Sequence, residues 1–357
     1  MAFPSRPVTQ LLGSNGPVHA LCYSSTPSTY ILTGSADRTI RLYNPNRQPA
    51  SSTSPLAPKP TQLIQSYSAH GYSVLDISVA YDNATFASCG GDRNVFLWNV
   101  ATAQTICRFG ATSNQGHTAR VNTVSFGGAG DSVLVSGSFD ARVRIWDVKS
   151  RSGNPVMVLD DAGDSVSCVL VGGGGERKGA IGEYEIVAGS VDGRVRYYDI
   201  RMGKLETDVI GASVTSLART RDGKGVLVGA LDSTIRLMDR DSGGLLRAYK
   251  ADEPNKFKND EFRLRSCFGG NEKWVLSGNE DVKGNDGEVV VWDTLTGNII
   301  ERIPILGSTD SKKKKIGSDG REQENKVVIS CLAWKEDGRG DQWCCAGTDG
   351  IVTVFGP

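Results

Sequence analysis

Seven copies of one short pattern run along this chain, and the repeat constrains the fold more than any other feature. In each copy an apolar stretch ends in small residues that are followed, in six of the seven, directly by an aspartate. The copies are 30–37 (YILTGSAD), 86–92 (FASCGGD), 133–140 (VLVSGSFD), 186–192 (IVAGSVD), 226–232 (VLVGALD), 274–279 (WVLSGN, with an aspartate further on) and 343–349 (WCCAGTD). Their spacing averages about 52 residues. A bare four-stranded propeller blade takes ~40–45 residues, so several copies carry insertions.

A second periodic feature follows each aspartate. Six residues later stands an aromatic side chain in six copies and Met238 in the fifth; the aromatics are Tyr43, Trp98, Trp146, Tyr198, Trp292 and Phe355. In the sixth copy Ser277 precedes Asp281 by four residues, whereas Trp292 follows Asp286 by six, which indicates a five-residue insertion in that turn. Stretches such as 95–98 (VFLW) are almost continuously apolar, as expected for strands packed on both faces.

These residues resemble the WD-repeat family of β-propellers over the whole chain. The resemblance implies an all-β fold, a single seven-bladed β-propeller of four-stranded antiparallel blades that forms one domain over residues 1–357. The seventh copy stops one strand short of a blade at Phe355, and residues 8–12 (VTQLL) resemble the strand expected at 61–64 (TQLI). We therefore expect residues 3–14 to close the ring as the last strand of blade seven, which leaves no long edge exposed.

Two copies contain a complete polar tetrad of histidine, serine, aspartate and tryptophan. The members are His70, Ser88, Asp92 and Trp98 in blade two, and His117, Ser136, Asp140 and Trp146 in blade three. An indole N–H can donate to the hydroxyl, the hydroxyl to the imidazole, and the imidazole to the carboxylate, so every buried polar group has a partner. Because the tryptophan uses the hydroxyl, we predict a structural role and no enzymatic activity. Blades four and five lack the histidine and serine and are expected to rely more on packing.

Composition excludes several classes of protein. The 40 basic and 40 acidic residues cancel, which argues against a sequence-specific nucleic-acid binder. The three histidines and the eight cysteines, which form no CxxC pair, predict no metal and no cofactor. We expect the cysteines to be reduced, buried thiols. We find no phosphate-binding loop, no membrane-spanning run and no signal peptide, and we expect a monomer that binds no small-molecule substrate and no membrane.

Protein partners are expected on the narrow face, which is formed by the loops that precede each innermost strand and by the turns that carry the aspartates. Large or charged side chains there are informative because they are not needed to hold strands together. Five such residues are predicted partner contacts, namely Tyr72, Arg93, Arg120, Phe139 and Arg194. The alternative is that Phe139 folds back on a neighbouring blade and that the arginines pair with local aspartates.

Several segments are also similar to one lineage within the family, the scaffolds of mitogen-activated protein kinase signalling that accompany spliceosomes. They are 68–76 (SAHGYSVLD), 90–93 (GGDR), 188–196 (AGSVDGRVR), 198–203 (YDIRMG) and 231–237 (LDSTIRL). The resemblance implies a scaffold that binds signalling proteins or splicing factors, in the cytoplasm and the nucleus. The sixth turn and the insertion at 305–326 depart from that lineage, so the resemblance does not extend to a partner surface near blades six and seven.

Two further motifs have alternative interpretations. Tyr198, Asp199, Ile200 and Arg201 resemble the WDxR pattern with which some propellers bind a cullin-ligase adaptor, although an arginine that follows a strand and makes a salt bridge at the rim is the commoner explanation. The four lysines at 312–315 form either an import or RNA-contacting segment or a solvated loop. The insertions at 44–60, 172–182 and 305–326 are expected to be mobile, the first without a helix or strand.

Overall fold

A computed structural model describes residues 2–47, 59–111, 115–172, 185–251, 256–281, 286–307, 315–316, 322–323, 326–335 and 341–357. The strands form seven radial sheets, and no α-helix occurs in these residues; one 3-10 turn covers Ala129–Asp131. The predicted all-β propeller with seven four-stranded antiparallel blades is therefore confirmed.

The strands are numbered in chain order, and the first of them belongs to the last blade. The elements up to the end of blade one are β1 (Arg6–Leu11), β2 (Val18–Tyr23), β3 (Ile31–Ser35), β4 (Ile40–Tyr43), β5 (Lys59–Thr61) and β6 (Leu63–Tyr67). Blade one has the order β2-β3-β4-β6. Blade two is β7 (Val74–Val79), β8 (Thr85–Gly90), β9 (Val95–Asn99) and β10 (Thr105–Phe109). Blade three is β11 (Val121–Gly127), β12 (Val133–Ser138), β13 (Val143–Asp147) and β14 (Met157–Leu159).

The remaining blades repeat the same order from the innermost to the outermost strand. Blade four is β15 (Val166–Val171), β16 (Glu185–Ser190), β17 (Arg194–Asp199) and β18 (Lys204–Val209). Blade five is β19 (Val214–Arg219), β20 (Gly225–Ala230), β21 (Thr234–Asp239) and β22 (Leu245–Tyr249). Blade six is β23 (Ser266–Gly269), β24 (Trp274–Asn279), β25 (Gly287–Asp293) and β26 (Ile299–Ile305). A short ribbon of β27 (Lys315–Ile316) and β28 (Glu322–Gln323) precedes β29 (Ile329–Trp334), β30 (Trp343–Gly347) and β31 (Val352–Gly356) of blade seven.

The ring closes through the N-terminal strand, as predicted. Strand β1 pairs antiparallel with β31, from Arg6 opposite Gly356 to Leu11 opposite Val352. Ahead of β1, Phe3 is buried and its ring lies 5.0 Å from that of Trp274, while the indole Nε1–H of Trp343 donates to the carbonyl of Pro4 at 2.8 Å. The first residues of the chain are thus bound to both blade six and blade seven.

Two of the predicted insertions contain strands. Strand β5, inside the segment 44–60 that was expected to have none, pairs parallel to β1 and adds a fifth strand to the sheet of blade seven. That expectation was wrong because the backbone at 59–61 meets the open edge of β1, where the hydroxyl groups of Thr9 and Thr61 lie 2.7 Å apart. The segment 305–326 contains the ribbon of β27 and β28. Residues 48–58, 173–182, 308–314, 317–321 and 324–325 of the three insertions lie outside the described residues, so their predicted mobility stays a prediction.

The cores lie between neighbouring blades, which explains the almost continuously apolar strands. One cluster, for example, joins Leu32 and Ile40 of blade one to Ile77 and Trp98 of blade two. The glycine of the repeated pattern allows this approach, because a Cβ at Gly34 would lie 2.6 Å from Val74 Cγ1. The sequence repeat therefore encodes blade-to-blade packing as well as the turn.

Deleting residues 1–12 should open the ring. The deletion removes the buried Phe3 and Leu11 and uncovers the edge of β31, so we expect a loss of more than about 4 kcal/mol in the free energy of unfolding. Denaturant titration measures the loss, and size-exclusion chromatography should detect association through the uncovered edge. A chain that begins at Phe3 is the control and should behave as the full chain. Equal stability of the deletion and the control would contradict closure by β1.

Candidate functional site

The narrow face has a backbone frame that recurs in every blade. In each turn, the N–H of one residue donates to a carbonyl in the loop before the innermost strand. The seven bonds, 2.8–3.3 Å long, run from Ala36 to Pro17, Gly91 to Ser73, Phe139 to Arg120, Val191 to Ser165, Leu231 to Ser213, Glu280 to Lys258 and Thr348 to Val328. Side chains on this face are therefore presented from a fixed backbone.

In blade two the four tetrad side chains form one hydrogen-bonded chain. Trp98 Nε1–H donates to Ser88 Oγ at 2.8 Å, and Ser88 Oγ lies 2.7 Å from His70 Nε2. His70 Nδ1 lies 2.9 Å from both carboxylate oxygens of Asp92, which also accepts the N–H of Gly71. The chain links the outer part of the blade to the loop of the narrow face.

Blade three has the same chain and one additional cation. Trp146 Nε1–H donates to Ser136 Oγ at 2.9 Å, His117 Nε2 lies 2.8 Å from that oxygen, and His117 Nδ1 lies 3.1 Å from Asp140. Arg144 donates to the same carboxylate at 2.9 Å. Burial lowers the pKa of His117, although the Asp140 carboxylate opposes the shift. Ser136 is fully buried, as Ser88 is in blade two, so neither hydroxyl is available to a substrate.

Blades one, four and five replace the missing histidine with an arginine. Four residues after the turn aspartate, Arg41, Arg196 and Arg236 pair with Asp37, Asp192 and Asp232 at 2.5–2.8 Å. Blades four and five, predicted to rely more on packing, therefore also hold the turn aspartate in an ion pair, because the arginine reaches the carboxylate from the third strand. Burial raises the pKa of Asp192, but hydrogen bonds from Arg196, Ser190 and Gly163 outweigh it and lower the pKa to about 2.

Blade six has neither arrangement. Phe257 stands where blades two and three have histidine, and its ring packs edge-on against Trp292 at 5.0 Å. The loop N–H of Lys258 donates to Asn279 Oδ1 at 2.8 Å rather than to Asp281 or Asp286. The indole N–H of Trp292 has no acceptor among the described residues. The sixth-turn insertion thus coincides with the loss of the polar chain.

The five predicted partner contacts are all exposed in blades two, three and four. Tyr72 is 64% exposed and Phe139 is 54% exposed, which excludes a Phe139 folded back on a neighbouring blade. The guanidinium of Arg120 lies 5.0 Å from the centre of the Phe139 ring. Among the described residues, Arg93, Arg120 and Arg194 form no ion pair, so the alternative of local aspartate pairing does not hold there. These residues are available to a partner.

The channel between the innermost strands contains a feature that the sequence did not reveal. Six innermost strands carry a β-bulge after their first residue; the bulged residues are His19, Leu75, Asn122, Ser167, Thr215 and Ser330. A bulge leaves its residue outside the regular ladder. In four of the six the freed carbonyl accepts a hydrogen bond from blade six.

Two arginines, Arg263 and Arg265, make these bonds and are called the channel arginines below. They end a segment, 259–265, that lies between the loop bond of Lys258 and strand β23. Arg263 donates to the carbonyls of Asn122 at 2.9 Å and Thr215 at 3.3 Å. Arg265 donates to Leu75 O at 3.1 Å and to Asp76 Oδ1 at 2.8 Å, and its N–H donates to Ser330 O. Blade six is thereby joined across the channel to blades two, three, five and seven.

Positive charge exceeds negative charge in this part of the channel. Asp76 pairs with Arg265, whereas Arg263 has no carboxylate partner among the residues described. Burial and the two channel arginines lower the pKa of His19, which keeps this third basic group neutral at pH 7. Burial and the charge of Arg265 likewise lower the pKa of Arg263.

The segment resembling a ligase-adaptor motif lies at the turn between the third and fourth strands. Asp199 Oδ1 accepts the N–H groups of Arg201 at 3.0 Å and Met202 at 2.9 Å. Asp147 and Asp293 hold the same position in blades three and six and accept the same kind of turn bond. The Asp199 carboxylate therefore has a structural explanation that recurs around the ring.

The remaining predictions concern the four lysines at 312–315, metal binding, the cysteines and membrane-spanning segments. Of the four lysines, 312–314 are not described and only the backbone of residue 315 is. In the described part of the chain, no three His, Cys, Asp or Glu side chains are arranged to hold a metal ion, and all eight cysteines are free thiols. No helix there is long and apolar enough to span a membrane.

The sequence profile and the similar proteins found by comparison all belong to one family. The sequence profile described as "WD domain, G-beta repeat" matches residues 5–44, 61–99 and 111–147, which cover the first repeats. The chain is 38% identical to human WD repeat domain-containing protein 83 over 302 residues, 85% of this chain and 83% of that protein. The rat protein of the same name is 37% identical over the same shares. The Dictyostelium discoideum homolog is 29% identical over 327 residues, 85% of this chain and 91% of that protein.

Replacing the turn aspartate should cost more in blade three than in blade five. Asp140→Ala leaves the buried His117 and the N–H of Thr118 without an acceptor, so we expect a loss of about 1–3 kcal/mol. Asp232→Ala breaks a partly exposed pair with Arg236, so we expect less than about 1 kcal/mol. Thermal and denaturant unfolding of both variants measure the difference. Equal losses would contradict the tetrad as a stabilising unit.

The channel arginines can be tested with a double-mutant cycle. Arg265→Ala leaves the buried Asp76 carboxylate with two backbone donors only, and we expect a loss of about 2–3 kcal/mol. The double variant with Asp76→Ala should lose less than the sum of the two single losses, because either single change already breaks the ion pair. Arg263→Ala serves as the comparison, since it leaves no carboxylate unpaired. Losses that simply add in the double variant would show that Arg265 and Asp76 are not coupled.

Proposed function

Because the chain belongs to the WD-repeat family of β-propellers, we propose that it is a non-enzymatic scaffold that binds protein partners on its narrow face. WD-repeat propellers typically bind proteins, and the serines of both tetrads are buried, so neither offers a free nucleophile. The observation that carries the proposal is the group of exposed aromatic and arginine side chains in blades two to four. Tyrosine and arginine are enriched in the residues that dominate interface energies.

We further propose that the partners belong to mitogen-activated kinase signalling or to pre-mRNA splicing complexes, in the cytoplasm and the nucleus. The support is the resemblance of the segments 68–76 and 188–196 to the mitogen-activated protein kinase organizer. Both segments contribute to the narrow face, since the first contains His70 and Tyr72 and the second contains Asp192 and Arg194. The resemblance therefore concerns the same surface as the exposed side chains.

The proposal can be tested with variants that change the surface and leave the fold intact. Tyr72→Ala and Arg120→Glu should reduce the recovery of the main co-purifying proteins at least about tenfold, because central interface residues contribute about 2 kcal/mol or more. Affinity purification with quantitative mass spectrometry, with and without nuclease, measures the recovery. Unchanged melting temperatures establish that both variants are folded.

Arg201→Ala is the matched control, since Arg201 is exposed at a turn on the opposite face. A scaffold that acts through its narrow face should keep its partners in this variant. If both narrow-face variants retain every partner at unchanged recovery, the proposed face is wrong. Selective loss of a cullin-ligase adaptor in Arg201→Ala would instead support the alternative function, a substrate receptor of a cullin-RING ubiquitin ligase.

A further inference from the structure

An arginine recurs in the narrow-face turns of four consecutive blades. In blades one to four, one of the two residues that follow the turn aspartate is an exposed arginine; these are Arg38, Arg93, Arg142 and Arg194, which we call the arginine arc. The same positions hold Ser233 and Thr234 in blade five and Gly350 and Ile351 in blade seven. The arc therefore covers one side of the ring.

The arc is distinct from the arginines that hold the turns together. Arg41, Arg144 and Arg196 of the same blades pair with the turn aspartates from the third strand. In the described part of the protein the four arc side chains take part in no ion pair. In blades one, three and four these pairs already neutralise the turn carboxylate, and in blade two Asp92 is bound by His70, so no arc side chain pairs with its own turn aspartate.

Two arc residues occupy a backbone conformation that is unfavourable for arginine. Arg38 has φ 69° and Arg93 has φ 62°, and the same position holds Gly193 at φ 76° and Gly350 at φ 78°. A non-glycine residue in this region costs roughly 1 kcal/mol. Ala141 with φ 60° and Ser233 with φ 58° hold the same position in blades three and five, so this conformation belongs to the turn itself, and glycine is compatible with it.

Aromatic side chains lie within the same blades and add apolar contact area. Tyr72 covers Gly91 in blade two, where an added Cβ would lie 2.8 Å from Tyr72 Cβ. In blade three Arg120 stacks over Phe139, which adds a fifth cation beside the arc. Planar guanidinium groups bind carboxylates with two parallel hydrogen bonds.

We propose that the arginine arc, together with Arg120, binds a short acidic segment of a protein partner through its aspartate and glutamate carboxylates. This inference rests on the proposed function and names the chemistry of the partner at that face.

The surroundings of the arc favour a short peptide over a nucleic acid. The chain as a whole has no net charge. Exposed carboxylates adjoin the arc in blade four, at Asp160, Asp161 and Asp164, and lie beyond it in the segment before β23, at Asp260 and Glu261. A long polyanion that left the arc would meet these groups, and their repulsion acts over a Debye length of about 8–10 Å. The attractive charge is limited to about four blades.

The test uses a fluorescein-labelled peptide of ten glutamates and fluorescence anisotropy with the full chain. The double variant Arg38→Gly, Arg93→Gly removes two cations while the backbone conformation suits glycine. We expect it to weaken binding about tenfold, which corresponds to two exposed ion pairs. Raising the salt concentration from about 50 to about 300 mM should weaken binding to the unchanged protein as well.

Arg151→Gly is the matched control, because Arg151 is also exposed, has φ 50°, and lies in a turn at the opposite face. It should bind the glutamate peptide as the unchanged protein does. No binding of the peptide, or equal affinity of the double variant, would overturn the proposal. Tighter binding of a ten-nucleotide uridine RNA than of the peptide would overturn it in favour of an RNA surface. If the peptide does not bind while Tyr72→Ala still loses protein partners, the scaffold function stands and only the acidic specificity fails.

Discussion

The pairing of β1 with β31 is the constraint on which the rest of the structure depends. A chain of seven sheets has two ends, and each end would expose an unpaired strand edge and one apolar face of a blade. Joining the N-terminal strand to blade seven removes both at once, and Phe3 extends the contact to blade six. Once the ring is closed, every blade packs against two neighbours, and the innermost strands surround a channel of fixed circumference.

The polar groups at the narrow-face turns find their hydrogen-bond partners in different ways in different blades. Each turn carboxylate or amide has to accept the N–H of a loop and have its remaining lone pairs satisfied. Histidine does this in blades two and three, arginine in blades one, four and five, and Asn279 in blade six. The backbone bond of the turn is present in all seven blades despite these exchanges, so it does not depend on one kind of polar partner.

The repeat made the fold predictable, because each copy contains its own turn, buried strand and aromatic residue. Features that depend on residues far apart in the sequence were not predictable. Arg263 donates to the carbonyl of Asn122 across the channel, 141 positions away in the sequence, and nothing near either residue indicates the contact.

The arginines that pair with the turn aspartates in place of a histidine were missed for a different reason. Arg196 stands in a strand where an arginine ordinarily points to solvent, and only the register of β17 shows that it reaches Asp192. The exposure of Tyr72 and Phe139 agrees with their predicted place on the narrow face.

The frame of the narrow face limits where the specificity of the protein can lie. Since the same backbone bond recurs in all seven turns, the described parts of the blades differ at this face in their side chains, in the insertion of the sixth turn and in the segment before β23. Side chains that satisfy the turn are buried and paired, so they contribute little to the outer surface. What remains exposed is unevenly distributed, with arginines in blades one to four and carboxylates in the segments leading to blades four and six. A protein with no net charge can therefore still present one strongly cationic side to a partner, because opposite charges are separated around the ring rather than mixed within each blade.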